Sequence, residues 1–145
     1  MRSDFDDVED KTVNQTSDAL FPRATQYVPA PNRMMRVYIA SPYTLGDVAV
    51  NVKRQIDMAN QLMNRGFAPF WPLHSHFQHL VCPRPYEDWI KVDLEWVLVC
   101  DAVLRLTGES KGADGEVKYA NDHGIPVFTS VSELERYRAE EFKGD

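Results

Sequence analysis

The sequence predicts a single α/β domain built on a doubly wound parallel sheet of four to five strands. Short runs rich in β-branched and aromatic residues alternate with longer stretches whose apolar residues recur at helical spacing. Glycine, proline and other turn-forming residues separate these runs. Strands that alternate with helices of this length are typical of parallel βαβ units. In such sheets a ligand binds beyond the carboxyl ends of the strands.

The first predicted strand covers Arg36 to Ala40, a short run of β-forming residues. It leads into the turn-forming segment from Ser41 to Gly46. Asp47 is suited to the N-cap of the next helix, in which apolar residues recur at helical spacing until Gly66 ends it. Residues 67–72 predict a second, largely buried strand.

The segment from His74 to Pro85 is aromatic and histidine-rich, with little periodicity. We expect it to form a long functional loop. The later elements follow the same alternation as the first: a helix at 86–100, a strand at 102–106, a loop at 107–111, a helix around 115–123, a strand beginning at 126 and a helix at 131–141 with Ser132 as its cap.

Residues 1–33 contain five acidic residues in the first ten positions and no sustained apolar periodicity, which predicts a flexible acidic tail before a domain at residues 34–145. A chain of 145 residues, 43% of them hydrophobic, can bury one sizeable core. The formal charge of -6 argues against a nucleic-acid polymer as partner, because binding phosphates in series needs a basic face.

No apolar run approaches the roughly 20 residues needed to span a bilayer, and the acidic N-terminus does not resemble a secretion signal. Cys82 and Cys100 are too few for a disulfide framework and lack the spacing of a zinc site. We therefore expect a cytoplasmic protein with reduced thiols and no contact with a membrane.

The loop after the third strand offers the strongest candidate site. Its small residues would let a ligand approach the backbone, and free N–H groups at the helix start would face an anion. Glu116 follows in the first turns, where the helix macrodipole favours the ionised form that a nucleophile requires. From spacing alone, Glu116 is equally well explained as a carboxylate that caps its own helix.

Three segments resemble the nucleoside 2-deoxyribosyltransferase-like family, in the order in which that family has them. The stretch SKGADGEVKYA from Ser110 to Ala120 is similar to the family's loop of small residues followed by Glu. The stretches Asp93–Trp96 and Cys100–Val103 resemble its helix with an active-site Asp and the strand that follows. Val37–Ala40 resembles its first strand, whose Tyr holds the nucleophile. The resemblance covers roughly residues 35–130.

This resemblance implies a flavodoxin-like fold, Glu116 as the nucleophile at the anomeric carbon and Tyr38 as the hydroxyl that orients it. A carboxylate suits cleavage of an N-glycosidic bond because it can stabilise or trap an oxocarbenium-like centre. Asp93 would contact the base or sugar, and could protonate the departing base if burial raises its pKa. The plainer alternatives are a solvated helix charge for Asp93 and core packing for Tyr38.

Ser110 lies six positions before Glu116, where the monophosphate-hydrolysing branch of the family has a serine that contacts phosphate. The first loop lacks the Ser-x-Arg arrangement of that branch, but its hydroxyls and amides can still bind phosphate. Trp71 or Phe77 could stack on a base. The predicted substrate-binding residues are Ser41, Tyr43, Thr44, Gly46, Trp71, His74, Ser110 and Gly112.

The predicted activity is hydrolysis of a nucleoside 5′-monophosphate or a nucleoside through a glycosyl–Glu116 intermediate, without a cofactor. No metal site is expected, because the closely spaced histidines do not dictate a ligand geometry. A homodimer or higher homo-oligomer is expected from the family, with Trp89 and Trp96 in the core or at the subunit interface. The alternatives are transfer of 2-deoxyribose between bases and a non-catalytic module that binds a nucleotide or ADP-ribose.

Overall fold

The computed structural model of the protein describes residues 33–144, so the predicted tail at 1–33 lies, apart from Arg33, outside the described residues. The described part forms an α/β domain with a four-stranded sheet. Its elements are β1 (Arg36–Ala40), α1 (Val48–Asn64), β2 (Ala68–Phe70), a 3₁₀ helix (Pro72–Ser75), α2 (His76–Val81), α3 (Tyr86–Val99), β3 (Ala102–Arg105), α4 (Lys111–Asp122), β4 (Val127–Phe128) and α5 (Val131–Glu140).

The sheet has the strand order β2-β1-β3-β4, and every pair of neighbouring strands is parallel. The predicted flavodoxin-like α/β class and the number of strands are therefore confirmed. The chain leaves β1 for β2 on one side and returns to place β3 on the other side. This reversal at β1 and β3 makes a crevice at their carboxyl ends, which is the ligand position in such folds.

Alternate residues of the central strands point to opposite faces of the sheet and build two separate cores. On one face, Val37 and Ile39 are buried against residues of α1 and α5. On the other face, Tyr38 and Ala40 are buried against residues of α3 and α4. Helices on both faces explain why β1 is apolar on both sides. They also place Tyr38 next to α4, the helix that carries the candidate nucleophile.

The prediction of a long loop from His74 to Pro85 was wrong. A 3₁₀ helix and the six-residue helix α2 cover most of this segment, leaving a short connection at 82–85. A helix this short shows less than two turns of periodicity, and no side-chain cap marks its start. Three of its apolar side chains, Phe77, Leu80 and Val81, are exposed, so no amphipathic pattern indicates it.

Three predicted boundaries are also corrected. Helix α4 begins at Lys111 rather than near Gly115, because Ser110 caps it by accepting a hydrogen bond from the Ala113 N–H. Helix α5 is capped by Ser130, not Ser132, in a reciprocal capping box with a glutamate at the third helical position. Strand β2 pairs over three residues instead of the six predicted.

Within residues 33–144, the structure contains no helix that is both long and apolar enough to cross a membrane.

Asp101, just before β3, ties the beginnings of the two central strands together. Its carboxylate accepts two hydrogen bonds from the Arg33 guanidinium, at 2.7 and 2.8 Å, and one from the Arg36 backbone N–H at 2.7 Å. Burial acts to raise the pKa of Asp101, but these hydrogen bonds outweigh it and hold the pKa below its ordinary value. The ionised form is therefore the one that stabilises the fold.

Replacing Asp101 by Asn should lower the free energy of unfolding at pH 7 by roughly 1–3 kcal/mol, because charge-assisted hydrogen bonds are lost. A carboxyl whose folded pKa is depressed stabilises the protein above its unfolded pKa, near 4, and loses that contribution as the pH falls further. The difference between the two proteins in urea unfolding should therefore shrink below pH 4.

The matched control is Asp122→Asn, which removes an exposed partner of Lys118. It should change the free energy of unfolding by less than about 0.5 kcal/mol. Equal effects of the two substitutions would contradict the role assigned to Asp101.

Candidate functional site

A cavity of about 870 Å³ lies at the carboxyl ends of the strands. Its wall includes Ser41 after β1, Pro72 after β2 and Ser110 after the loop that follows β3. Helices α2 and α3 supply the remaining side. The position agrees with the one expected for a ligand of this fold, and the volume falls within the range of small-molecule sites.

Glu116 and Tyr38 form a buried hydrogen-bonded pair at the inner wall of the cavity. The Tyr38 hydroxyl donates to Oε1 of Glu116 at 2.8 Å. Tyr38 is fully buried and Glu116 is 6% exposed. The other oxygen, Oε2, has no hydrogen-bond partner in the described part of the protein. Because every fully buried side-chain nitrogen or oxygen atom there has a partner, Oε2 is not fully buried. Since Glu116 lines the cavity, Oε2 is the oxygen available to a ligand.

The pKa of Glu116 is raised to about 8, mainly by burial. The Tyr38 hydrogen bond and the Arg105 charge favour the ionised form, whereas the neighbouring Asp93 disfavours it. Burial therefore outweighs the stabilisation of the ionised form that we expected from the helix macrodipole. Glu116 is the sixth residue of α4, beyond the first turn where the macrodipole acts, so loss of hydration dominates.

Asp93 on α3 is half-buried and lines the same cavity. Burial raises its pKa to about 7. Its charge also contributes to the raised pKa values of Glu116, Tyr38 and Tyr86. The two carboxyl groups are therefore electrostatically coupled and titrate near neutral pH, a property that carboxyl groups have mostly at functional sites.

Gln55 of α1 holds two walls of the cavity in place. Its side chain is fully buried, and its amide nitrogen donates to the Ser41 hydroxyl at 2.7 Å and the Ile39 carbonyl at 3.1 Å. Its amide oxygen accepts from the Leu73 N–H at 2.8 Å. Gln55 was not among the predicted site residues. The available signal was a polar residue within the buried helical series that includes Val52 and Leu62.

The loop after β1 contributes three of its four predicted residues to the cavity. Ser41, Tyr43 and Thr44 line it. The Tyr43 hydroxyl pairs with Nδ1 of His76 at 2.7 Å, which links the loop to α2. Gly46 does not line the cavity and instead occupies a turn with a φ of 84°.

Ser110 and Gly112, at the start of α4, both line the cavity. The Ser110 oxygen accepts from the Ala113 N–H at 3.1 Å, so its own hydroxyl proton is free for a ligand. A Cβ atom at Gly112 would lie 2.6 Å from the Tyr86 hydroxyl oxygen. A side chain at position 112 would therefore require the exposed Tyr86 ring to shift.

Trp71 and His74 are not brought into the cavity. The Trp71 carbonyl pairs with Nδ1 of His74 at 2.7 Å, and the Trp71 ring packs against the core on the α1 face. The histidines of this segment that do line the cavity are His76 and His79. Other lining residues, among them Arg84, Tyr86, Trp89 and Lys111, were not predicted as ligand contacts. Trp89 was not predicted there because the helices that carry His79 and Trp89 meet only in the folded protein.

Residues 33–144 contain no group of three or more His, Cys, Asp or Glu side chains placed to hold a metal ion.

The raised pKa of Glu116 predicts a pH-dependent stability cost. A carboxyl whose folded pKa is about 8 and whose unfolded pKa is near 4.5 binds more protons in the folded state between these values, so stability falls as the pH rises through them. Glu116→Gln removes this ionisation and keeps an acceptor for Tyr38. The variant should match the wild type in urea unfolding near pH 5 and exceed it above pH 8 by at least about 1 kcal/mol.

Asp57→Asn, which alters an exposed carboxylate paired with Lys53, serves as the control and should leave the pH dependence unchanged. A Glu116→Gln variant with the same pH profile as the wild type would rule out a raised pKa at this position.

The sequence from residue 35 to residue 130 matches the model of a protein family described as a domain of unknown function, DUF7768. A search of curated proteins found no match. The description of the family does not bear on nucleoside chemistry, so the role of each site residue stays a prediction. Because the match covers more than half of the chain, the protein belongs to the DUF7768 family.

Proposed function

We propose that the protein cleaves the N-glycosidic bond of a nucleoside 5′-monophosphate, or of a related nucleoside, with Glu116 as the nucleophile. The observation that carries the proposal is the buried Glu116–Tyr38 pair, with Oε2 of Glu116 facing a cavity that Asp93 also lines. Most enzymes that hydrolyse glycosidic bonds use a pair of carboxyl groups in different environments. The resemblance to the nucleoside 2-deoxyribosyltransferase-like family supports the same roles.

In the proposed reaction, Oε2 of ionised Glu116 forms a bond to C1′ of the sugar while the bond from C1′ to the base nitrogen breaks. The departing base takes a proton from Asp93. Water then attacks C1′, gives a proton to Asp93 and releases the sugar product with Glu116 restored. Tyr38 acts as a positioning residue, because its hydrogen bond fixes Oε1 and leaves Oε2 to react.

The pKa values of Asp93 and Glu116 favour these roles of general acid and nucleophile near neutral pH. Asp93, with a pKa of about 7, is partly protonated and suited to act as a general acid. Glu116, with a pKa of about 8, has only a fraction of its molecules ionised in the free protein. Positive charge that develops at C1′ stabilises that ionised form in the transition state, since the buried Glu116 carboxylate is largely shielded from bulk solvent.

A monophosphate is supported as substrate by the groups around the start of α4. Ser110 and the first residues of α4 line the cavity, and the Lys111 ammonium has no partner in the described part of the protein. The Lys111 ammonium therefore compensates for the arginine that the first loop lacks.

Base exchange, in which a second base rather than water intercepts the intermediate, is the alternative acceptor chemistry. The cavity volume and the aromatic side chains of Tyr86 and Trp89 are compatible with a second base.

We also propose a homo-oligomer, supported by the exposed apolar residues Val92, Trp96 and Val99 on one face of α3. A cytoplasmic location stays a prediction.

The direct test is chromatography of free base released from nucleosides and their 5′-monophosphates, with and without an added second base. Release should fall by at least about 10³-fold in Glu116→Gln, since a covalent step is lost, and by about 10²-fold in Asp93→Asn. The pH profile of kcat/KM should be bell-shaped with its maximum between the pKa values of Asp93 and Glu116, about 7 and about 8.

Exchange with the added base would assign the transferase alternative. Binding of a nucleotide without release of base from any substrate would overturn the enzymatic proposal in favour of a binding module. Glu135→Gln, a change of an exposed carboxylate that pairs with Arg65, is the matched control and should retain full activity.

Replacing Lys111 by Met should raise KM for a 5′-monophosphate by about tenfold, because a charge-assisted contact with phosphate is lost. KM for the free nucleoside should stay within about twofold. Lys118→Met, on the same helix but paired with Asp122, is the matched control. An equal loss for nucleoside and monophosphate would contradict a phosphate contact by Lys111.

A further inference from the structure

His79 and Trp89, on neighbouring helices of the cavity wall, are joined by a hydrogen bond that fixes the position of a proton. The Trp89 indole N–H donates to Nδ1 of His79 at 3.0 Å, and the two rings meet edge to face. The Arg84 backbone N–H points at the same nitrogen from 3.4 Å. An indole nitrogen and a backbone N–H can only donate, so Nδ1 must be an acceptor. The imidazole of His79 therefore carries its proton on Nε2.

The other three histidines of the chain are constrained differently. Nδ1 of His74 and Nδ1 of His123 face backbone carbonyl oxygens at 2.7 and 2.8 Å, so each of these nitrogens must carry a proton. His76 pairs with the Tyr43 hydroxyl, which can donate or accept. His79 is thus distinguished by an Nδ1 that faces only donors.

The Nε2–H of His79 is available to a ligand. His79 lines the cavity, and no residue of the described part accepts a hydrogen bond from Nε2. A fixed N–H donor binds an acceptor atom and rejects an N–H group in the same place, because two donors would leave each other unpaired. Such a donor can therefore distinguish a carbonyl oxygen from an amino group.

The surroundings favour a base over a phosphate as the partner of this N–H. The cationic Lys111 and the Ser110 hydroxyl stand at the start of α4, where an anion is best accommodated. His79 instead stands beside the Trp89 indole, an apolar surface suited to the face of a base.

We propose that His79 recognises a carbonyl oxygen on the nucleobase through its Nε2–H, and that Trp89 is a positioning residue that imposes the required tautomer. The inference rests on the proposed function only in taking the ligand to be a nucleotide. It predicts a preference for bases that present a carbonyl group, as in inosine and uridine, over those that present an amino group there, as in adenosine and cytidine.

The first test is ¹H–¹⁵N NMR of the histidine side chains in the labelled full-length protein at a pH of about 8.5, where imidazoles are neutral. His79 should show the proton on Nε2, while His74 and His123 show it on Nδ1 in the same spectrum. His123→Gln assigns the control signal. Trp89→Phe keeps an aromatic ring but removes the shorter of the two hydrogen bonds to Nδ1, and should raise the fraction of His79 that carries its proton on Nδ1. A proton on Nδ1 of His79 in the wild type would overturn the inference.

The second test adds 5′-monophosphates of inosine, uridine, adenosine and cytidine to Glu116→Gln, in which turnover is blocked under the proposed function. The His79 Nε2–H signal should shift with the carbonyl-bearing nucleotides and stay within about a fifth of that shift with the amino-bearing ones. The ratio of the affinity for the carbonyl-bearing nucleotides to that for the amino-bearing ones should fall about tenfold in His79→Leu. It should be largely retained in His79→Gln, whose amide can replace the donor.

The two proposals fail in different ways. Release of base without any response of His79 to the carbonyl-bearing nucleotides would overturn the role of His79 and leave the glycosidase proposal standing. A His79 response without release of base would overturn the glycosidase proposal and leave the recognition by His79 standing. An equal response to phosphate alone would assign the N–H to the phosphate and also overturn recognition of the base.

Discussion

The burial of the Glu116 carboxyl beneath Tyr38 is the constraint on which the rest of the site depends. A carboxyl can be kept in such a place only if part of its hydrogen-bonding capacity is met, and Tyr38 meets it at 2.8 Å. This requires β1 and α4 to lie on the same face of the sheet, with Tyr38 pointing away from α1. The doubly wound topology supplies that arrangement, because alternate residues of β1 serve different cores.

The same constraint sets the chemistry. A fully hydrated carboxyl would be ionised at neutral pH whatever the ligand. Burial moves the pKa of Glu116 into the range where ionisation responds to the ligand. Asp93 adds a second group that titrates in the same range. The charge of the cavity wall can therefore respond to a bound ligand near neutral pH.

The sequence predicted the architecture and the inner residues of the site better than it predicted the cavity wall. Strand β1 and helix α1 are long enough for their periodicity to be read, and Asp47 caps α1 as expected. The family resemblance brought Tyr38 and Glu116 together across the chain. The wall was missed because α2 is too short to show a period and leaves its apolar residues exposed.

Contacts between elements distant in sequence account for the remaining differences. A local pattern could mark Gln55 as buried, but it could not indicate the partner of Gln55 in the loop after β1 or the bond between Trp89 and His79. The expectation for Glu116 rested on its position in the helix and did not include burial, which is a property of the whole fold. Local signals located the helix starts within a few residues, as the shift of a cap from Ser132 to Ser130 illustrates.

The close approach of Tyr86 to Gly112 has a consequence for how this site can vary among family members. With only 2.6 Å between the Tyr86 oxygen and the place of a Cβ atom, a larger residue at 112 requires either a smaller residue at 86 or a tyrosine ring that has moved away from α4. Because both residues line the cavity, either change would give family members with a side chain at 112 a differently shaped cavity.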